Sequence, residues 1–505
     1  MPFEPKFEQI NLTLKKGCLK EGVKVDCKTE IPSDGVSKLL NLSAKPNVLT
    51  TTQTPNGLEC NGVVNFFVNY LDFENHVKKF ECASEFFAQL TCPDGVEPDK
   101  TAIQINVEKT DADVSGVKVL LSAYLQIQTS SCQRKNLTAL VGGDDLVLDN
   151  KEITILKGYG QRESVITLDK QFEIDCAVYE VLSQRAQARI TCCQCGVGCI
   201  IVDGEVHLSA ILLQSADKND IIRKDEILPF RAEIDCEDAM PAMFASASVR
   251  ERSFKSDVSV DGEQGKSLVN ALVTLTLVGE AFYSQTVNVV NDAFSVKEEI
   301  EFDHEQSEYD QPCQSRAICQ DVSGRAGIDE LPVGVTLLAC CSEKAEIVST
   351  NVTTDECLEI TGVLSATAYF KDLDGKVFTR KAETPFNLTL QTGLDASHGY
   401  NLQVIAVGGK IKMISATELE LFATCCFTLY PYQFKSLTVI KSIKSLGDKK
   451  CDDYGLSVYI PIQGEGLWSL AKRLNVRPEQ LVETNPDLQF PLSGEERIAI
   501  FRQIK

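Results

Sequence analysis

Residues 360–386 read Ile360-Thr-Gly362-Val363-Leu364-Ser365-Ala366-Thr367-Ala368-Tyr369, then Asp372-Leu-Asp374-Gly375, then Thr384-Pro385-Phe386 at the end of the return. Apolar and polar residues alternate on both sides of Asp374-Gly375, and that dipeptide accepts the positive φ of a tight hairpin turn. The stretch reads as a strand, an acidic turn and a returning strand.

Two more segments lie over it. Cys60-Asn-Gly62-Val63-Val64-Asn65-Phe66-Phe67-Val68-Asn-Tyr70 leads through Asp72-Phe-Glu-Asn75 to Ser84-Glu-Phe86. Val202-Asp-Gly204-Glu205-Val206-His207-Leu208 leads through Asp217-Lys-Asn219 to Leu228-Pro229-Phe230. The anchoring Gly precedes the anchoring Phe by 24, 26 and 24 residues in chain order. An internal period decides the architecture before any local detail does. Further strands are expected at 103–107 and 117–127, at 244–249 and 268–277, and at 402–407 and 419–429. Val165 to Ile174 resembles Phe294 to Phe302, and each is expected to add a strand to its unit. The fold class expected is mainly β, with three tandem antiparallel β units over 1–132, 133–281 and 282–445.

The last sixty residues, 446–505, break the pattern. Leu467, Leu470, Ala471 and Leu474 follow a Gly turn at helical spacing. Pro478 sits where a second helix begins, with Leu481 and Val482 inward, and Asn485-Pro486 ends it. A final strand covers Ile498, Ile500 and Phe501. This β-α-α-β order resembles a LysM module, a binding rather than catalytic family, with Trp468 and Asn485-Pro486 where that family places its Trp and Asn-Pro. The resemblance implies a groove formed by Gly464, Glu465, Gly466 and Leu467 with Asn485, Pro486, Asp487, Pro491 and Leu492. The family's Gly-Asp-Thr-Leu reads Gly464-Glu465-Gly466-Leu467 here, which lengthens one carboxylate and removes a hydroxyl. Both glycan and protein therefore stand as occupants. Trp468 is expected in the module core, and 441–453 as a linker.

The chain has 505 residues, 43% hydrophobic and 24% charged, with a net charge of -22. Such a surface repels phosphate backbones and anionic lipid, so nucleic acid is not expected as a partner. No run approaches the roughly 18 apolar residues of a membrane span, and no membrane insertion is expected. The start, MPFEPKFEQI, lacks an apolar core and a basic cap, so a cytoplasmic chain without a secretory signal is expected.

Twenty cysteines are unusual in such a chain. Buried free thiols, later cross-linking, metal binding and redox chemistry are the four readings. Cys199 and Cys357 lie five residues before their Gly, and Cys92 and Cys236 six after their Phe, which fits packing positions repeated between units. Most thiols are expected reduced, with Cys92 and Cys236 equally buried. Cys192, Cys193, Cys195 and Cys199 form the dense cluster. A structural zinc site needs two converging pairs, and no second Cys-x-x-Cys occurs, so no metal and no cofactor are assigned. Asp261-Gly262-Glu-Gln-Gly265-Lys266-Ser267 imitates a phosphate loop but lacks its first Gly and its helix, and reads as a hairpin turn. The four histidines show no metal-ligand spacing, and no catalytic residues are assigned.

Tandem β units with a Gly-start strand, an acidic turn and a Pro-Phe return, followed by a LysM, resemble the SPOCS-domain proteins of spore-forming Firmicutes, and among them the SipL-type architecture of clostridia. The third unit carries the pattern best, through Gly362, Tyr369, Asp374-Gly375 and Pro385-Phe386; the first lacks Pro before Phe86. The resemblance implies a non-enzymatic mother-cell scaffold, recruited to the forespore surface, that joins the spore coat to its morphogenetic ATPase or other coat proteins. The rival readings are a peptidoglycan-binding cell-wall or phage-tail adaptor that takes N-acetylglucosamine, and a cysteine or metal enzyme.

Overall fold

Gly62, Gly204 and Gly362 each pair directly across a strand with Phe86, Phe230 and Phe386. In all three places the ring of the phenylalanine lies over the glycine, and a backbone carbonyl of the preceding strand (Asn47, Arg189 or Glu346) closes from the other side. A Cβ would come within 2.6 Å of those carbonyls, so only glycine fits. The three rings are buried at 6, 7 and 5% exposure. A β-bulge sits opposite each glycine, between Val48 and Thr50, Ile190 and Cys192, and Ile347 and Ser349.

The computed structural model describes residues 4–31, 35–99, 103–215, 219–261, 266–449 and 455–502. It is mainly β, built as antiparallel sheets. A first group holds β1 (Pro5–Glu30), β2 (Lys38–Thr54), β3 (Gly57–Leu71), β4 (Val77–Thr91), β5 (Glu97–Pro98), β6 (Gln104–Ser115) and β7 (Lys118–Gly143). A second holds β8 (Leu146–Gly158), β9 (Arg162–Ile174), β10 (Glu180–Cys195), β11 (Cys199–Ser215), β12 (Asp220–Asp235), β13 (Phe244–Asp261) and β14 (Lys266–Ser295). A third holds β15 (Glu298–Pro312), β16 (Arg316–Gly327), β17 (Thr336–Val352), β18 (Cys357–Lys371), β19 (Val377–Gln391), β20 (His398–Ser415) and β21 (Glu418–Asp448). The C-terminal end adds β22 (Gly455–Tyr459), α1 (Leu467–Leu474), α2 (Pro478–Thr484) and β23 (Ile498–Arg502).

In each group a three-stranded meander (β2-β3-β4, β10-β11-β12, β17-β18-β19) faces a second sheet laid along the long strand β7, β14 or β21. Alternation along the long strands explains the packing. Val119, Leu121, Ala123, Leu125 and Ile127 of β7 point one way and share a core with Val64, Phe66 and Phe86. Ala271, Val273, Leu275 and Leu277 do the same beneath Phe230, and Leu419, Leu421, Ala423 and Cys425 beneath Phe386. Full burial of one such aliphatic side chain contributes about 1.5–3 kcal/mol.

The second half of each long strand leaves its own sandwich. It continues as a two-stranded ribbon with the N-terminal half of β1, with β8 or with β15. The three ribbons pack on one another. Leu137, Val287 and Leu437, spaced 150 residues apart, meet in one cluster with Ala139, Val289 and Val439. Leu140, Val290 and Ile440 meet in the next layer. At the opposite end Val77, Ile221 and Val377 converge with Ile211 and Tyr369. Matching residues of the three groups thus surround one axis at both ends, an approximate threefold arrangement within a single chain.

Polar contacts tie the groups together. Asn69 donates to the Tyr369 hydroxyl (3.0 Å) and Val77 N–H to Asn219 Oδ1 (3.0 Å). Arg223 of β12 forks onto Glu343 of β17 at 2.8 and 3.0 Å and donates to the Cys340 carbonyl at 2.9 Å.

Several sequence expectations change here. The positions 132/133, 281/282 and 445/446 fall inside the continuous strands β7, β14 and β21. Val165–Ile174 and Phe294–Phe302 are not counterparts: β9 lies on the first half of β14, whereas β15 lies on the second half of β21. Both are acidic alternating strands, and alternation does not say which half they pair. Residues 441–448 belong to β21 rather than to a linker. Gly262 to Gly265 lie outside the described residues, and Asp261 pairs with Lys266 across them.

Candidate functional site

The C-terminal module folds around the inner face of its helices. Leu470, Ala471 and Leu474 of α1 and Leu481 of α2 are buried against Ile498 and Ile500. Pro478 stands at the first position of α2, where its missing N–H is harmless. Val482 does not turn inward; it is 43% exposed. The left-handed helix end belongs to Asn475 (φ 54°, ψ 46°), while Asn485 has φ -133°. Asn485 instead works through its side chain. Its Nδ2 donates to the carbonyls of Leu481 (2.9 Å) and Ala499 (2.8 Å), and its Oδ1 accepts from Ala499 N–H (2.7 Å). Those three bonds fasten the end of α2 to β23.

The two loops expected to form a groove do meet. Gly464 N–H donates to the Leu492 carbonyl at 2.8 Å, and Leu492 N–H donates to the Glu465 carbonyl at 3.0 Å. Leu492 is buried, while Pro486, Asp487 and Pro491 are exposed. Gly466 caps α1 and Leu467 is half-buried. Glu465 points inward: its carboxylate accepts two bonds from Arg473, both 2.8 Å, and one from Ile462 N–H, 3.1 Å. The Arg473 bonds hold its pKa below the ordinary carboxylate value. Glu465 and Asn485 therefore direct polar atoms to partners inside the module.

Trp468 is half-buried, and its ring meets the edge of Phe294 at 5.2 Å. Trp468 Nε1 donates to Asp292 Oδ2 at 2.9 Å, and Lys472 Nζ reaches both oxygens of Asp292 at 2.7 Å. Asn475 donates to the Val296 carbonyl (2.8 Å) and accepts from Lys449 Nζ (2.8 Å). Burial acts to raise the pKa of Asp292, but Lys472 and Trp468 outweigh it and hold the carboxyl low. Trp468 is thus a seam residue between the module and the end of the β8–β14 ribbon. Residues 150 away from Asp292 and Phe294 on either side are Gly142 and Ser442, and Asp144 and Lys444. Neither other ribbon has the same carboxylate and ring, which explains why the module sits on this one.

The two-stranded sheet β22–β23 shows opposite characters on its faces. Tyr459, Ile498 and Ile500 turn to the core. Leu456 pairs with Phe501 and Val458 with Ala499 on the other face. Leu456, Val458 and Phe501 are 60, 60 and 58% exposed, and Ile460 and Ile462 continue the stripe. Sequence reading missed this face, as it missed Asp292 and Phe294. The signal for the face was present: in Leu456-Ser-Val458-Tyr459-Ile460-Pro-Ile462 the residues Leu456, Val458, Ile460 and Ile462 are apolar on alternate positions although Tyr459 and Pro461 are the ones turned inward.

The cysteine cluster is divided by a hairpin. Cys195 ends β10 inside the second core together with Cys236, Cys199 opens β11, Cys193 is half-buried and Cys192 faces solvent. Burial pushes the Cys193 thiol up to about 12. Among the described residues no group of three or more His, Cys, Asp and Glu is placed to hold a metal ion. Cys319 and Cys426 are disulfide-bonded, and the other described cysteines are free. Cys236 is buried whereas Cys92 is only half-buried, because the turn closed by Ala239 N–H on the Cys236 carbonyl covers the former. Among the described residues no helix is long and apolar enough to cross a membrane.

Searched against protein-family models, curated proteins and solved structures, the chain matches none of them.

Proposed function

We propose that the chain is a non-enzymatic scaffold for spore coat and envelope assembly. In this reading the three groups are SPOCS-like units, each closing on its long strand, and the C-terminal β-α-α-β module is a LysM that docks a coat morphogenetic partner, the coat ATPase being the first candidate. The setting is the mother-cell cytoplasm at the forespore surface.

The observation that carries the reading is the bare apolar face of Leu456, Val458 and Phe501 on a module pinned to a large body. Contiguous exposed apolar side chains are the kind of patch that marks an interaction site. The inward use of Glu465 and Asn485 supports a protein over N-acetylglucosamine as occupant.

Purified coat ATPase and soluble muropeptides, each titrated against the full chain, test this. The ATPase is expected to bind, and Leu456→Ser with Val458→Ser is expected to weaken it at least tenfold. Saturable muropeptide binding without ATPase binding would replace the scaffold reading by the peptidoglycan adaptor.

A further inference from the structure

The first sandwich carries a pair of thiols in contact across its two sheets. Cys27 on β1 and Cys82 on β4 have their sulfurs 3.3 Å apart. The neighbouring rungs hold the seam in register: Ser84 Oγ donates to the Asp26 carbonyl at 2.9 Å, and Cys27 Sγ to the Ala83 carbonyl at 3.7 Å. Cys27 is buried and Cys82 is half-buried, so a reagent reaches Cys82 first.

Internal comparison shows that the pairing is specific to this place. Cys82, Glu226 and Ala382 each lie four residues before their anchoring Phe. Cys27, Lys170 and Gly324 pair with Leu121, Ala271 and Leu421, matching core positions of the long strands. The two positions therefore carry two thiols in the first group, opposite charges in the second and two small residues in the third. In the second group Glu226 turns to Lys224, and in the third Gly324 lies against Thr384, so the thiol contact belongs to the first group.

We propose that Cys27 and Cys82 form a redox-closable dithiol, oxidised by low-molecular-weight disulfides such as glutathione disulfide, whose closure staples the two sheets of the first sandwich. The Cys82 thiolate attacks one sulfur of the glutathione disulfide, breaks its S–S bond and expels a glutathione thiolate. The Cys27 thiolate then attacks Sγ of Cys82 in the mixed disulfide and expels the second glutathione. Two protein thiols are oxidised, one glutathione disulfide becomes two thiols, and the two protein thiol protons pass to the departing thiolates. Burial and the bond with Cys27 push the Cys82 thiol up to about 12. Thiolate is scarce near neutrality, so closure is slow there and its rate rises about tenfold per pH unit.

The fully reduced full-length chain, incubated with glutathione disulfide at about pH 8.5, quenched in acid and digested without reductant, tests the proposal. Mass spectrometry is expected to recover a peptide joining Cys27 to Cys82, released by dithiothreitol, together with a higher urea midpoint for the closed protein. In Cys82→Ser, Cys27 is expected to stay free under native conditions. Arrest at a Cys82–glutathione adduct, recovery of both thiols unmodified, or pairing of Cys27 with a different cysteine overturns it.

Discussion

The side-chain amide of Asn219 donates to the carbonyl of Asn75 at 2.7 Å, joining turns that lie 144 residues apart. The same nitrogen reaches the Gly375 carbonyl at 3.5 Å, and Oδ1 receives the N–H of Val77 at 3.0 Å. Asn75, Asn219 and Gly375 all hold positive φ, 64, 51 and 79°. They are the corresponding left-handed residues of the three hairpin turns, and one side chain links all three near the axis. Asn75 holds the corresponding position but is exposed, whereas Asn219 is buried and its side chain makes the bonds to the other two turns.

Replacing Asn219 by glycine separates this bond set from backbone strain, because glycine keeps the positive φ at no steric cost. Two carbonyls and one buried N–H lose their partner. A loss of about 1–3 kcal/mol is expected, read as a lower urea midpoint. An unchanged midpoint would show that the turns are held by Val77, Ile221 and Val377 alone.

The Arg223–Glu343 pair makes a second, pH-dependent joint between groups. Burial acts to raise the Glu343 pKa, but the bonds and charge of Arg223, with the charge of Arg185, outweigh it and the pKa is lowered. A depressed folded pKa contributes stability above the unfolded carboxylate value, about 4.3, and that stability is lost as pH falls through the folded value. Unfolding midpoints should therefore decline in acid, and less steeply in Glu343→Gln. Glu343→Ala leaves the Arg223 guanidinium with Asp225 and the Cys340 carbonyl, and should cost about 1.5–3 kcal/mol at neutral pH for the lost charged hydrogen bonds. Replacing both partners by apolar residues should recover much of it.

The parts of this architecture legible in sequence are those set by local rules. Gly362 and Phe386 announce a strand pair because a ring needs a bare backbone beneath it, and Asp374-Gly375 announces its turn. Pro478 announces the start of α2. The ribbons were not legible, because Asn136-Leu137-Thr138-Ala139 alternates like any strand and names no partner. Trp468 looked like a core residue for the same reason: an indole beside buried leucines says nothing of Phe294, 174 positions earlier. Long-range contacts between groups decide both cases, and no local pattern encodes them.

Asp292 is the hinge pin of the module's attachment. Asp292→Ala removes the acceptor of Trp468 and Lys472 and leaves the indole N–H unpaired at the seam. Hydrogen exchange across 467–484 should accelerate while β11 and β18 keep their protection. Trp468→Ala should cost more, roughly 3–5 kcal/mol for an aromatic truncation in a packed site, taken from the seam as well as the module. Equal exchange in wild type and Asp292→Ala would mean that Phe294 and Asn475 suffice to hold it.

Glu465 and Val458 should respond in opposite ways, and the contrast decides where this module meets a partner. Glu465→Lys places an ammonium beside Arg473 and removes the acceptor of Ile462 N–H, so the loop before α1 loses three bonds. The Arg473 bonds depress the Glu465 pKa, so this contribution is present above the ordinary carboxylate range and lost as pH falls through the folded value. The variant should lower the melting temperature of the module at neutral pH, and the difference from wild type should shrink in acid. Val458→Lys adds a charge to a face that is already 60% exposed, where surface substitutions usually stay within about 0.5 kcal/mol. Its melt should match wild type while binding of a protein partner falls. Circular dichroism melting beside a binding titration reads both. A partner lost in Glu465→Lys at temperatures where the module remains folded, but retained in Val458→Lys, would move the contact from the sheet face to the loop between Gly464 and Leu492.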